Sequence, residues 1–561
     1  MPINWHGARL NFTNKVRRAA MYEGWSREEL IARLIQLDPN PSVSSVQGGS
    51  SKIKGASKNK PPKASKAFDF SQYPRRKIAL KFCYQGWEYN GLAFQSDKTP
   101  LPTVEGTLYN ALASCKLIDG AAGPEGCGWE RCGRTDRGVS SAGQVVSLWV
   151  RSNIKHEGRK EAEGLTPEAN EGDKDLDTNV ENKDSHPDSS TAPKTSLVHL
   201  PKHELHYLTI LNRVLPPSIR ILAWSPVKPD FSSRFNTRYR HYKYFFSPRG
   251  LDLNAMQEAA NRLIGEHDFR NLCKVDPSKQ ISSYRRKILR AEISEASVFA
   301  DTIVNSDAGS QVDRGQPEMC VFDLSGTAFL YNQVRHIMAV LFLVGARLEQ
   351  PKVVTALLNS DPAIPEPPFK DNEDPPEFVT CKPEYQMADP LPLVLWECAY
   401  SDNDVTWQTD NEVNTGVTER IQNNSKTEES DDSIKSIYRQ VYSIHERSLV
   451  HTTLNAHFLQ AVSTFHPPPQ SMLNSLSPPN PSSLITPDSS PFLSVPLGGG
   501  SARRIAARNY VPLLLRKRLE HVDIVNARWR EGKGGRRAEA GKVVPKSMLE
   551  KDQNADADND E

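Results

Sequence analysis

Long stretches without apolar periodicity interrupt this chain of 561 residues and limit where a folded core can form. Residues 156–190 carry eleven Asp or Glu against four Lys or Arg, and residues 403–500 are polar and then rich in Pro and Ser. Such segments bury too little apolar surface to offset the conformational entropy lost on ordering. Only 37% of the residues are hydrophobic. The sequence therefore predicts a folded part of enzyme size that is divided by disordered inserts.

Between these inserts, apolar residues recur with the periods of strands and helices. Ile78, Leu80, Phe82 and Tyr84 alternate along one strand face, and the run from Gln144 to Val150 alternates in the same way. Further strands are predicted at 220–224, 286–298 and 318–324, a last core segment at 391–396, and helices at 104–112, 252–264, 331–344 and around 448–462.

Charged residues are segregated along the chain, although the net charge is only +2. Residues 41–66 hold six lysines and no acid, and residues 503–537 hold eleven Lys or Arg against three Asp or Glu. Both segments are predicted to contact RNA phosphates. The lysine arm at 41–66 is about as well explained as a solvated linker, and a nuclear-import signal is the weaker alternative.

Eight scattered cysteines form no CxxC pair, which favours structural or free thiols over metal ligands. Reduced thiols fit an intracellular protein. No signal-peptide pattern is found at the first residues, and the longest apolar run, 337–344, is too short to cross a bilayer. Because P-loop, GxGxxG and HExxH motifs are absent, we expect chemistry without ATP, nicotinamide or zinc.

A dense polar motif, RCGRTDRGVSS at 131–141, stands directly before a predicted strand. Its two glycines allow close backbone turns around Asp136. Taken alone, such an aspartate is more often a turn or cap residue than a catalyst. Here Arg134 and Arg137 flank Asp136 and would keep a partly buried carboxylate ionised and nucleophilic.

The helix predicted at 331–344 is apolar nearly all round, except at its start. Arg335 lies in the first turn of this helix, and a buried guanidinium needs an anion. We therefore predict Arg335 as a further partner of Asp136. No second catalytic carboxylate, Ser–His pair or metal cluster stands out in the sequence, which favours Asp136 as the reactive group.

Basic and aromatic residues alternate through residues 231–246. On a strand, Tyr242, Tyr244 and Phe246 share one face. The combination suits base stacking with phosphate contact, although core packing explains Tyr242 equally well from composition alone. Positive charge near Tyr242 is predicted from Arg240, His241 and Lys243.

Residues 132–140, CGRTDRGVS, closely resemble the catalytic motif of TruA-type tRNA pseudouridine synthases. Three other stretches resemble family motifs in the right order, and four ordered motifs are far more specific than one GRTD. These stretches are KFCYQGWEYNG at 81–91, like the first strand and turn, residues 234–244, like the tyrosine motif, and FLYNQVRHIMAVLFLVG at 329–345, like the arginine helix.

Two further segments, 268–276 and 510–529, resemble the eukaryotic branch that modifies uridines 38 and 39 of the tRNA anticodon stem-loop. The resemblance implies an α+β pseudouridine synthase fold, with two α/β subdomains around a continuous, mixed and mostly antiparallel sheet and a basic central cleft.

The predicted organisation is an N-terminal helix and basic arm at 1–75, a catalytic subdomain at 76–230 with a disordered acidic insert at 156–200, a second subdomain at 231–402, a low-complexity insert at 403–500, a basic segment at 501–540 and a disordered tail at 541–561.

The resemblance also implies an RNA isomerase that detaches uracil from ribose C1′, turns it and rejoins it through carbon, with no cofactor and no metal. By carry-over, Asp136 is the nucleophile, Arg335 pairs with it, and Tyr242 stacks on the target base. We add Arg134 as a residue that holds the flipped nucleotide. The implied partner is tRNA, at its anticodon stem-loop, and the implied location is nucleus and cytoplasm. Homodimers are common in the family but not universal.

Two alternative functions compete with this hypothesis. One is a catalytically inactive RNA-binding protein or tRNA chaperone of the same fold, which the joint presence of Asp136, Tyr242 and Arg335 disfavours. The other is a glycosidase-like hydrolase with Asp136 as nucleophile, which needs a second carboxylate as acid that the motifs do not supply.

Overall fold

The computed structural model describes residues 68–95, 99–154, 204–296, 319–410, 437–468, 492–534 and 536. The predicted N-terminal helix, the lysine arm, the acidic insert and the tail at 541–561 lie outside these residues.

Alternating apolar residues produce the expected strands. In the first strand Ile78, Leu80 and Phe82 are all fully buried, as their period of two requires. The strands of the described residues are β1 (Arg75–Tyr84), β2 (Glu130–Arg131), β3 (Ser140–Arg151), β4 (Ile219–Pro226), β5 (Tyr239–Phe246), β6 (Gly265–Asp268), β7 (Arg285–Glu295), β8 (Cys320–Gly326), β9 (Leu393–Ala399), β10 (Phe492–Gly498) and β11 (Ser501–Ala506).

Nine of these strands form one sheet in the order β4–β1–β3–β9–β5–β8–β7–β6, with β2 paired to β3. The β3–β9 pairing is parallel and the other pairings in this sheet are antiparallel. The predicted continuous, mixed and mostly antiparallel sheet is therefore confirmed. The two halves of the sheet join through Ser140 and Ser141 of β3, which pair with Val394 and Leu395 of β9. Residues 132–139 thus lie immediately before this junction.

Helices supply much of the remaining core, except α2 and α7, which have no buried residues. They are α1 (Val104–Ser114), α2 (Gly123–Gly126), α3 (Tyr207–Val214), α4 (Leu253–Asn261), α5 (Gln333–Gly345), α6 (Val353–Leu358), α7 (Ile437–Phe465) and α8 (Val522–Trp529).

The buried apolar residues form two clusters, one for each half of the sheet. In the first, Leu80 of β1, Leu108 of α1 and Leu211 of α3 are fully buried together. In the second, Tyr244 of β5, Phe322 of β8 and residues of α4, α5 and α6 pack together. Burial of this kind is the main favourable term in folding, at about 25 cal/mol per Å² of apolar surface.

Helix α5 is the most deeply buried element of the second cluster. All thirteen of its residues are buried, as its nearly unbroken apolar sequence predicts. Helix α4 packs directly against it at Gly345, where a Cβ atom would approach the Met256 Sδ to 2.5 Å. This packing fixes the direction of α5 and so the position of its first turn, which carries Arg335.

The structure differs from the sequence prediction in the region 403–500. We predicted mostly unstructured chain there; residues 411–436 and 469–491 lie outside the described residues, but within the described part α7 is a helix of 29 residues and β10 pairs with the following β11 in an antiparallel hairpin. A helix around 448–462 is confirmed but is longer than predicted. Among the described residues, no helix is both long and apolar enough to span a membrane.

The basic C-terminal segment packs against the second half of the fold. Leu513 and Val522 belong to the second hydrophobic cluster. The Glu349 carboxylate accepts hydrogen bonds from the Tyr510 hydroxyl and the Leu513 amide, each at 2.6 Å. Further along, the Leu519 amide donates to the Lys382 carbonyl at 2.8 Å. These contacts hold residues 510–519 against the chain that follows α5.

Candidate active site

A cavity of about 390 Å³ lies beside the junction of the two sheet halves. Six segments line it: residues 90–95, the loop between β2 and β3, strand β5, the loop between residues 276 and 281, residues 329–335 at the start of α5, and the first residue of β9. The predicted site residues Asp136, Tyr242, Arg335 and Arg134 all line this one cavity. The structure thus brings together four side chains that the sequence spreads over 202 positions.

The loop that carries Asp136 is held in one conformation by local contacts. The Val139 amide donates to the Asp136 carbonyl at 3.1 Å, and Gly138 has a φ of 87°, which favours glycine. The hydroxyl groups of Thr135 and Tyr84 are hydrogen-bonded at 2.6 Å. A carboxylate on this loop is therefore held in a fixed position at the cavity wall.

A second chain segment packs closely behind the same loop. A Cβ atom on Gly86 would overlap the Val139 carbonyl, so only glycine allows this approach. The Leu92 amide donates to the Thr135 carbonyl at 3.2 Å. Residues 86–92 therefore pack against the loop and help to fix its position.

Arg335 reaches Asp136 from the first turn of α5. The Arg335 Nη1 atom lies 3.5 Å from the Asp136 Oδ2 atom. Its Nε atom donates to the Ala388 carbonyl at 2.9 Å, and the Ala388 amide donates back to the Arg335 carbonyl at 3.1 Å. Only 8% of Arg335 is exposed. The guanidinium is thus oriented by backbone on one side and faces the carboxylate with the other.

Asn332 is a second partner of the carboxylate. With its amide nitrogen turned toward the cavity, Asn332 donates to Asp136 Oδ1 at 3.3 Å and also to Oδ2. The backbone of Asn332 is left-handed, with a φ of 58°, a conformation that Asn tolerates better than most residues. This local geometry directs the amide toward Asp136 instead of capping α5.

Burial raises the pKa of the Asp136 carboxyl, while Arg335 and Lys274 act in the opposite direction. We predicted that Arg134 and Arg137 would keep this carboxylate ionised, and that expectation is wrong. Both flanking arginines have exposed side chains, whereas the cations that act on Asp136 come from α5 and from the loop after β6.

Tyr242 forms the opposite side of the cavity. Its ring is 5% exposed and packs edge-to-face against Phe329, with centroids 4.9 Å apart at 79°. Tyr244 and Phe246 share the buried face of β5, as predicted, but pack against Phe342 away from the cavity. Of the three aromatic residues, Tyr242 is the one placed to contact a ligand.

The basic residues of β5 do not face the cavity, so the prediction that they supply charge beside Tyr242 is wrong. Arg240 is buried and donates to the Cys132 carbonyl at 2.8 Å. His241 and Lys243 lie on the other face of the sheet, near the Asp323 carboxylate at 2.6 and 3.6 Å. Strand alternation separates them from Tyr242.

Four residues of the site were not predicted from the sequence. Asn332 was visible as a polar residue at the start of an apolar helix, and Phe329 as part of the same motif. Lys274 and Lys279 lie in a loop without periodicity, where composition does not indicate which way a side chain points. Their place near the cavity follows from tertiary contacts alone.

Residues 259–401 match the sequence profile of the family described as tRNA pseudouridine synthase. This match runs from the end of α4 to just after β9 and includes Arg335.

Longer alignments are found with individual proteins. The tRNA pseudouridine(38/39) synthase of Saccharomyces cerevisiae is 36% identical over 401 residues, which are 70% of this chain and 74% of that protein. The protein of the same name from Homo sapiens is 37% identical over 351 residues, which are 63% of this chain and 60% of that protein. The tRNA pseudouridine synthase A of Methanothrix thermoacetophila is 27% identical over 336 residues, 60% of this chain and 86% of that protein.

Proposed function

The chain belongs to the TruA-type family of tRNA pseudouridine synthases, and we propose that it isomerises uridines 38 and 39 of the tRNA anticodon stem-loop to pseudouridine. It is an isomerase whose substrate is tRNA. The observation that carries the proposal is the Asp136 carboxylate, fixed between Arg335 and Asn332 and facing Tyr242 across one cavity. The numbers 38 and 39 come from the names of the relatives in yeast and human.

The target uridine is stacked in or beside a paired stem, so it must leave the helix before its glycosidic bond can be reached. Extrusion costs a few kcal/mol, which contacts to the flipped nucleotide must offset. The cavity of about 390 Å³ has the size of a small-molecule site. Tyr242 offers a π-face to the base, and Arg134 at the exposed rim holds the flipped nucleotide in place.

Asp136 then acts as the nucleophile. Its carboxylate oxygen bonds to ribose C1′ as the bond from C1′ to uracil N1 breaks with its electron pair on the base. The detached uracil turns within the cavity, and its C5 bonds to C1′ while the carboxylate leaves. The C5 proton is lost and N1 gains one, so the product has the same atoms as the substrate. The atom balance requires no cofactor.

Arg335 and Asn332 interact with the Asp136 carboxylate and not with the base. A hydrogen-bonded and ion-paired carboxylate is kept ionised and aimed, which a nucleophile needs in a partly buried site. Burial favours the protonated form of Asp136, whereas Arg335 and Lys274 favour the ionised form that acts as the nucleophile. The contribution of Arg335 and Asn332 is orientation and charge.

Mapping of pseudouridine in tRNA tests the proposal. tRNA from cells without this protein should lack pseudouridine at 38 and 39, wild-type chain should restore it, and Asp136→Asn should not. Retention of both modifications in cells that lack the protein would disprove the proposal. Restoration of a cellular phenotype by Asp136→Asn without restored pseudouridine would favour the tRNA chaperone instead.

Three finer points complete the proposal. We propose the anticodon stem-loop as the recognised part of tRNA because both target positions belong to it. A homodimer and a distribution between nucleus and cytoplasm follow from the family resemblance alone and stay predictions. Sedimentation of the full chain and microscopy of a tagged chain measure them directly.

A further inference from the structure

The loop between residues 274 and 281 contributes to the cavity wall, and its part beyond residue 276 lies outside the stretches that resemble family motifs. Asp276, Lys279 and Ile281 contribute to the cavity wall. The Lys279 amide donates to the Asp276 carbonyl at 3.1 Å, which closes a tight turn and brings the lysine to its tip. Lys279 is half-buried, and no carboxylate of the described residues lies within ion-pair distance of its ammonium group.

Lys279 and Arg134, which are far apart in the sequence, both line this edge of the cavity. Burial, and then the charges of Arg134 and Arg234, lower the pKa of the Lys279 ammonium group. Asp276 opposes the effect only in part. A nearby fourth cation, Arg131, is neutralised by a two-point hydrogen bond to Glu105 at 2.5 and 2.8 Å. A phosphate group at this edge of the cavity would interact favourably with these positive charges.

The surroundings of this cation cluster fit a nucleic-acid backbone better than a free anion. Phe235 is 61% exposed, with the Arg234 guanidinium 5.2 Å from its ring centroid, and Tyr331 of the cavity rim is 42% exposed. Exposed aromatic rings beside cations are the usual combination where single-stranded nucleotides bind. A flipped uridine in the cavity would leave its flanking phosphates at this rim.

The loop that carries Lys279 is supported by the C-terminal segment. Gln280 is 8% exposed and has a left-handed φ of 50°, so its backbone needs support from tertiary contacts. The Arg530 Nη1 atom donates to Gln280 Oε1 at 2.9 Å, and Gln280 Nε2 donates to the Asn526 carbonyl of α8 at 3.4 Å. The conformation of the turn thus depends on residues 250 positions further along the chain.

From this geometry we propose that Lys279, with Arg134 and Arg234, binds a phosphodiester group of the tRNA strand next to the flipped uridine, and that Arg530 positions Lys279 through Gln280. The inference rests on the proposed function, since it assigns the phosphate to the same flipped strand. Lys279 is a substrate-binding residue, and Arg530 is a positioning residue.

The test is the salt dependence of tRNA binding by the full chain. Lys279→Met keeps the length of the side chain and removes its charge. It should weaken tRNA binding by about tenfold and lower the slope of log affinity against log salt by about one. Lys352→Met is the matched control, because Lys352 is exposed at the start of α6 and does not line the cavity. Equal slopes in the two variants would overturn the phosphate contact.

A double-mutant cycle tests the positioning role. Arg530→Ala should lower the affinity for tRNA in the wild-type background, but only weakly in the Lys279→Met background, because both changes remove the same contact. Additive losses would mean that Arg530 binds RNA by itself and would overturn this part of the inference. Thermal unfolding of each variant separates a folding defect from a binding defect.

Failure of the inference is distinguishable from failure of the proposed function. If wild-type chain forms no pseudouridine in any tRNA, the proposed function fails. If the wild type is active and Lys279→Met binds and reacts like Lys352→Met, only the phosphate site is wrong.

Discussion

The Arg335 Nη1 atom and the Asp136 Oδ2 atom lie 3.5 Å apart although 199 positions separate the two residues in the sequence. The pair joins the two halves of the sheet, because Asp136 precedes β3 and Arg335 begins α5. The Ala388 carbonyl holds the other side of the guanidinium. An ion pair that depends on both halves makes the nucleophile sensitive to how the halves are packed.

Asp136→Asn should abolish pseudouridine formation while tRNA binding persists. Loss of a nucleophile reduces kcat by about 10⁴-fold or more, and the amide keeps the size of the side chain. Single-turnover assays on an anticodon stem-loop, with affinity measured in parallel, check this outcome. Asp230→Asn, at an exposed position, is the control. Measurable turnover by Asp136→Asn close to that of the control would exclude Asp136 as the nucleophile.

The pH dependence of activity should report Asp136. Burial raises its pKa, so kcat/KM should begin to fall, as pH decreases, at a higher pH than an ordinary aspartate would give. Arg335→Gln removes a cation that lowers this pKa, so the acidic limb should move further toward neutral pH. The rate at neutral pH should also fall, by about 10²-fold.

Arg137→Gln is the matched control for this pH profile, because Arg137 is adjacent to Asp136 in sequence but exposed. The acidic limb should stay in place in Arg137→Gln. A shift of the limb as large as that of Arg335→Gln would mean that sequence neighbours set the charge of Asp136 after all.

The sequence predicted the strands and the buried helix because period and apolarity are local properties. Ile78, Leu80 and Phe82 can face the core in only one way on a strand. The identity of the reactive group was also accessible, because a GRTD loop and an arginine at the start of an apolar helix are unusual on chemical grounds. Contact between Asp136 and Arg335 was predictable only from the rule that a buried guanidinium needs an anion.

The rest of the site depends on information that no local pattern carries. Lys279 reaches the cavity because a turn supported by α8 places it there, and the residues involved are 250 positions apart. The error over His241 and Lys243 has a simpler cause. The prediction placed the charges of His241 and Lys243 beside Tyr242 because these residues are close in sequence. Alternate residues of a strand face opposite sides of the sheet.

Tyr242 should act through its ring face. Tyr242→Phe should retain tRNA affinity, whereas Tyr242→Leu should weaken it by about 1–3 kcal/mol, the range for stacking of one base on an aromatic side chain. Binding of an anticodon stem-loop, measured at equal folded fraction, checks the difference. Tyr244→Leu is the control, since Tyr244 lies on the same strand face but outside the cavity. Equal losses in Tyr242→Leu and Tyr244→Leu would indicate a packing role alone.

Glu349 should hold the C-terminal segment on the fold. Glu349 is 9% exposed and accepts from the Tyr510 hydroxyl and the Leu513 amide, so Glu349→Ala leaves a half-buried hydroxyl and a buried amide unpaired. We expect a loss of about 3 kcal/mol in the free energy of unfolding, and earlier cleavage near α8 in limited proteolysis. Glu377→Ala removes only an exposed partner 3.8 Å from Arg518, so its effect should be below about 1 kcal/mol.

The Glu349 carboxylate should also change how the free energy of unfolding depends on pH. Burial raises the pKa of Glu349 above the 4.5 of an unfolded glutamate, so the folded state binds more protons than the unfolded state between these two values. The contribution of Glu349 to the free energy of unfolding should therefore decrease as pH rises through this window. Glu349→Gln lacks the titrating group, so subtraction of its denaturation curves from those of the wild type should isolate the decrease. A difference that stays constant with pH would contradict a raised pKa and would indicate that the hydrogen bonds from Tyr510 and Leu513 offset the cost of burial.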